Sequence, residues 1–177
     1  MRHSPLIVPS LFLLAAILAG CSSDKEDNCP TMTGVTDAAV QTVFREGAPQ
    51  DPANVLYTVE ITDVTGKCDI DKKDRTTNAS VEVKFRATRA PSAAAAQYTV
   101  PYFVAVTRGT GPMMVKHVYS IPFSFEAGQT STTFSDEIGS AVLHPDHEKQ
   151  PYDYQILVGL QLTKAQLEYN RLGHYGQ

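Results

Sequence analysis

Val81-Glu82-Val83-Lys84-Phe85-Arg86-Ala87-Thr88 alternates apolar with polar residues along its whole length. Successive side chains of an extended strand leave opposite faces, so Val81, Val83, Phe85 and Ala87 make one core face while Glu82, Lys84, Arg86 and Thr88 meet water. The run belongs to a longer stretch, Ala79 to Thr88, and six more stretches rich in β-branched and aromatic residues surround it. They fall near Ala39 to Phe44, Leu56 to Val64, Tyr98 to Thr107, Met114 to Phe125, Thr130 to Ile138 and Tyr154 to Leu162. Asp51-Pro52, Gly109-Thr110-Gly111-Pro112 and Ala127-Gly128 separate them as turns, and Ala90-Pro91-Ser92 with the alanines after it makes a longer loop. Strands at this spacing predict an all-β fold, an immunoglobulin-like or fibronectin III-like antiparallel β-sandwich of about seven strands.

Two of the runs break the alternation. Val100-Pro101-Tyr102-Phe103-Val104-Ala105-Val106 and Ile156-Leu157-Val158-Gly159-Leu160 are almost continuously apolar, which predicts strands covered on both faces and central in their sheet. Pro101 and Pro122 each lack a ladder donor and are expected at a strand start, an edge or a bulge. After the last strand the period changes. Thr163 and Gln166 have the spacing of a capping box, and Leu162, Ala165, Leu167 and Tyr169 fit a short amphipathic C-terminal helix. Residues 172–177 read as a frayed tail.

The 177 residues include 15 Lys and Arg against 19 Asp and Glu, a net charge of −4, and their length suits one domain with a core of its own. An acidic balance is wrong for gripping phosphate backbones, so no nucleic-acid partner is expected. Residues 1–20 read as a signal peptide: Arg2 and His3 are basic, Leu6 to Leu18 are apolar and Ala19-Gly20 are small. That apolar run is shorter than the roughly 20 residues of a spanning helix. Leu18-Ala19-Gly20-Cys21 resembles the lipobox of bacterial lipoproteins, which implies cleavage before Cys21, acylation of its sulfur and amine, and membrane attachment through the acyl chains. Residues 21–28 then form the acylated cysteine and a polar tether, and residues 29–171 the sandwich domain. In Gram-negative lipoproteins an aspartate after the acylated cysteine marks retention in the inner membrane. Ser22 stands there instead, so the resemblance implies the inner face of the outer membrane.

With Cys21 acylated, two of the three cysteines remain, Cys29 and Cys68, and an oxidising periplasm is expected to join them. Closing a loop of that length contributes roughly 4 kcal/mol. The alternative is a pair of buried thiols acting as small apolar residues.

Candidate chemistry is sparse. His144-Pro145-Asp146-His147-Glu148 brings two histidines close in sequence, but the prolines favour a loop, and a third zinc ligand is not visible. Met114 with His117 offers a thioether and an imidazole of the kind that suit copper, although strand alternation puts Met113, Val115, His117 and Tyr119 on one face and Met114 on the other. Asp69-Ile70-Asp71 begins like a calcium loop that Lys72 and Lys73 interrupt. No nucleophile elbow, phosphate loop or dinucleotide fingerprint occurs in the sequence. Asp69 with Asp71 and Asp136 with Glu137 read as acidic surface. The expectation is therefore a protein that is not an enzyme and uses no cofactor.

Cys29-Pro30, Phe44 to Gly47, Cys68, Tyr102-Phe103-Val104-Ala105-Val106, Val158-Gly159-Leu160-Gln161-Leu162-Thr163, Gln166-Leu167 and Tyr169-Asn170-Arg171 resemble a group of small uncharacterised Gram-negative lipoproteins. Phenylalanine is usual in that group where this chain has Leu160. The resemblance spans most of the domain and implies no activity, but it singles out Gln161, Asn170 and Arg171 beside an apolar strand, where they could tie the last helix to the sheet or bind something. Two functions are expected from the sequence. The first is a lipid-anchored, periplasm-facing binding or structural module with an envelope protein partner, and the second is a metal-handling lipoprotein for copper or zinc.

Overall fold

The computed structural model describes residues 29–91, 94–145 and 148–173. In it the alternating run becomes a wall of the core: Val81, Val83, Phe85 and Ala87 are all buried, while Lys84, Arg86 and Thr88 are exposed. The strands are β1 (Thr31–Gly34), β2 (Val40–Phe44), β3 (Val55–Asp71), β4 (Thr76–Thr88), β5 (Ala96–Arg108), β6 (Met113–Phe125), β7 (Ser131–Leu143) and β8 (Tyr154–Leu160), followed by helix α1 (Lys164–Arg171). They form two four-stranded sheets ordered β1-β8-β5-β6 and β2-β3-β4-β7. Every pairing is antiparallel except β1 with β8. The chain crosses between sheets from β1 to β2, β4 to β5, β6 to β7 and β7 to β8, and β4 pairs with β7 while β5 pairs with β8. These interlocked pairs make the immunoglobulin-like antiparallel sandwich that the sequence pattern predicts.

All seven expected strands are present, and the count rises to eight among the described residues because β1 was not anticipated. Its four residues, Thr-Met-Thr-Gly, are half exposed and carry too little apolar pattern to stand out. The β3–β4 hairpin also runs further than expected, to Asp71 and from Thr76. At its tip the backbone amides of Lys73 and Asp74 donate to Asp71 Oδ1 at 2.8 and 3.1 Å, which makes the Asp-rich segment a tight turn.

β5 and β8 are central, as their continuous apolar character predicts, and Val100 and Tyr102 to Thr107 are buried whichever face they point to. Tyr102 and Val104 face the other sheet: Tyr102 meets Phe85 edge-on at 5.3 Å, and Phe134 stacks between Phe85 of its own sheet at 5.1 Å and Phe123 of β6 at 4.9 Å. Phe103 and Ala105 face outward and are covered by Ala38, from the short 3-10 turn Thr36–Ala38. Gly159 permits this approach, since a Cβ there would lie 2.6 Å from Phe103 Cζ.

The two prolines sit where a donor is dispensable. The amide of Gln161 donates to Pro101 O at 2.9 Å, so Pro101 turns its backbone groups away from β6. Backbone direction alternates along an antiparallel ladder. Because Pro101 pairs with Ser120 and Thr99 with Pro122, the position where Pro122 would carry its N–H faces outward from the sheet edge. At the other end, Gln166 N donates to Thr163 Oγ1 at 3.2 Å and Thr163 N to Gln166 Oε1 at 2.9 Å, the expected capping box. The helix docks through Tyr169, edge-on to Phe44 at 5.2 Å.

Candidate functional site

Strand β6 closes one sheet at a free edge and changes character along its length. Phe123 and Phe125 are buried, Tyr119 and Ile121 are half-buried, and the first six residues, Met113 to Val118, are exposed on both faces. Met113, Met114 and Val118 each keep just over half of their surface in water. Met114 is the extra residue of a bulge, since Val115 pairs with Val106 and Met113 with Thr107. By the alternation that places Pro101 and Pro122, Lys116, Val118 and Ser120 direct their backbone groups away from β5. Lys116 folds its ammonium over the Phe103 ring at 4.3 Å and so shields the outer face of the sheet. The result is an apolar strand edge that no other strand among the described residues pairs with, the arrangement that can accept a further strand.

The sequence candidates distribute as follows. Cys29 and Cys68 are joined as a disulfide with a Cα–Cα distance of 5.8 Å, while Cys21 lies outside the described residues. His144 is exposed in the loop after β7, and His147 lies outside the described residues. Met114 and His117 are both exposed on β6. Among the described residues no group of three or more His, Cys, Asp or Glu side chains is placed to hold a metal ion.

Gln161, Asn170 and Arg171 come together only in part. Asn170 is fully buried and donates from Nδ2 to Asp37 O at 3.1 Å and Val40 O at 2.8 Å, while its Oδ1 has no hydrogen-bond partner among the described residues. Arg171 pairs with Asp37 Oδ2 at 3.1 Å. Both therefore fasten α1 to the segment between β1 and β2. Gln161 contributes its backbone amide to Pro101. Gln166, which the sequence suggests only as a cap, also donates from Nε2 to Thr42 O at 3.2 Å.

Two cavities open along the outer half of β3. One, of about 480 Å³, lies beside the disulfide and is lined by Pro30, Met32 and Val64 to Lys67. The other, of about 350 Å³, lies at the end of the β3–β4 hairpin and is lined by Lys72, Arg75, Thr77 and Lys149 among others. Inside the core, Tyr102 donates its hydroxyl to Asp136 Oδ2 at 2.7 Å. Burial, and then that carboxylate, push the Tyr102 phenol well above the ordinary tyrosine range. Burial and the neighbouring Tyr98 raise Tyr57 likewise. No helix among the described residues is long and apolar enough to cross a membrane.

No protein-family model, no curated protein and no solved structure matches this chain.

Proposed function

We propose that the protein is a lipid-anchored lipoprotein of the cell envelope whose sandwich domain faces the periplasm and acts as a non-catalytic binding or structural module. The observation that carries this reading is the edge of β6, where apolar side chains lie on both faces and no other strand among the described residues pairs. Monomeric proteins usually blunt such edges, as Pro122 and the bulge at Met114 do here at either end, and the stretch between them, Val115 to Ser120, is suited to a short extended segment of an envelope partner. The Cys29–Cys68 bond supports an exported location, because disulfides persist in oxidising compartments. Acylation at Cys21, carried on the lipobox-like Leu18 to Cys21, supplies the anchor in this reading, and Ser22 favours the outer membrane.

A photo-crosslinking residue at Val118 in intact cells tests it. Capture of an envelope protein is expected at Val118 and not at Lys164, whose side chain is 90% exposed on the helix. Equal capture at both, or none at either, would remove the docking role. Mass spectrometry of the N-terminus tests the anchor separately, with a diacylated or triacylated Cys21 expected and a bare cysteine or an uncleaved leader contradicting it.

A further inference from the structure

We infer that the Cys29–Cys68 disulfide is a redox latch on β1, whose opening releases Thr31–Gly34 from β8 and uncovers a second strand edge while the sandwich stays folded. The inference concerns a different edge from the β6 reading and does not depend on it. Among the described residues β1 makes the one parallel pairing, with β8 over four residues, Thr31 with Gln155 through Gly34 with Val158. The other side of β8 pairs antiparallel with β5 from Leu160 to Tyr154. Thr31 and Thr33 are exposed, and Met32 is the one large apolar side chain that β1 contributes to the core. Met32 packs over Gly66, where a Cβ would overlap its sulfur and the Ser80 carbonyl oxygen.

The latch sits two residues ahead of β1 and spans the two sheets, since Cys68 belongs to β3. While it is closed, β1 is held at both ends: by Cys29 before it and by Val35, whose amide donates to Val158 O at 2.8 Å, after it. Once it opens, the strand retains its four parallel pairings, the Val35 bond, the buried Pro30 and the Met32 side chain, and a short, half-solvated element of this kind is among the first to open locally. Both cysteines are half-buried and line the 480 Å³ cavity, so a reductant can reach the bond. The chemistry is thiol–disulfide exchange: a dithiol attacks one sulfur, the mixed disulfide resolves to the oxidised dithiol, and Cys29 and Cys68 leave with one proton each as thiols. What is uncovered is the edge of β8 from Gln155 to Val158.

Hydrogen exchange followed by mass spectrometry on the full-length chain, with and without dithiothreitol, tests the latch. Alkylation of Cys29 and Cys68 in the reduced sample confirms that the bond is open, and Cys29→Ser with Cys68→Ser provides an oxidant-independent second sample. Peptides covering residues 31–35 and 155–158 are expected to exchange at least about tenfold faster in both samples, with β4 peptides over residues 81–87 within about twofold of the oxidised protein. Unchanged protection over residues 31–35 would overturn the inference. So would a parallel loss in β4, because the bond would then hold the whole domain and not one strand.

Discussion

Asn170→Ala and Asn170→Asp, compared side by side, ask whether the buried amide of α1 holds the helix or waits for a ligand. The side chain is fully buried and its two hydrogens are spent on the Asp37 and Val40 carbonyls. Truncation to alanine strands both carbonyls. Relief of the unpartnered Oδ1 offsets part of that, leaving a loss of about 2 kcal/mol. In a domain of this size about 1 kcal/mol moves the melting temperature by roughly 2–4 °C, so the variant should melt about 4–8 °C lower. The aspartate keeps the shape and loses the donors: a buried carboxylate would face two carbonyl oxygens, and the loss should be about twice as large at neutral pH. That excess should shrink as pH falls, because a protonated carboxyl regains one donor and its folded-state pKa is raised by burial. Thermal melts followed by circular dichroism from pH 4 to 8 make the comparison. Coincident melts for the two variants, or an alanine variant within about 1 °C of the parent, would refute the reasoning.

Phe85→Ala removes a ring that is 1% exposed and packed against Tyr102 and Phe134, and chemical denaturation should report a loss of about 3–5 kcal/mol. Tyr102 and Tyr57 hold their protons more firmly in the folded chain than in the unfolded one, so the stability they contribute is intact below about pH 10 and declines as pH rises beyond it. Tyr102→Phe should flatten that alkaline decline in denaturant titrations at pH 9 to 11; an unaltered slope would mean that Tyr102 does not differ between the two states. Copper or zinc in excess should leave the melting temperature of the tag-free protein unchanged, whereas binding through His144 and His147, or Met114 and His117, would raise it by mass action.

Period and composition were enough to reveal seven strands, the central places of β5 and β8 and the cap at Thr163, because each depends on which faces are dry or on a local hydrogen bond. β1 is not legible in the sequence because its placement comes from the disulfide at Cys29 and from room above Gly66, neither of which leaves a periodic trace. The far part of the β3–β4 hairpin is illegible for a similar reason: beyond Val64, β3 is held by its ladder to β4, which pairs with β7 on its other side, so Thr65, Lys67 and Asp69 stay exposed and need no apolar partners. For the candidate site, Met113 to Val118 read as ordinary strand, and Met114 was weighed as a copper ligand. Sequence does not say which strand ends a sheet, and only that fact turns these residues into an exposed edge. The roles of Asn170 and Arg171 were half legible, with the fastening partners at Asp37 and Val40 some 130 positions away.

The neighbours of β8 have a temporal consequence. One of them, β1, opens the domain and the other, β5, lies mid-chain, so neither can complete its ladder until Leu160 has been made and delivered. A chain emerging from its N-terminus would wait with half of one sheet unassembled, and closure of the sandwich would be deferred to the final stretch of synthesis or translocation. That order of assembly makes truncation ahead of residue 160 far more damaging than loss of the residues after the helix.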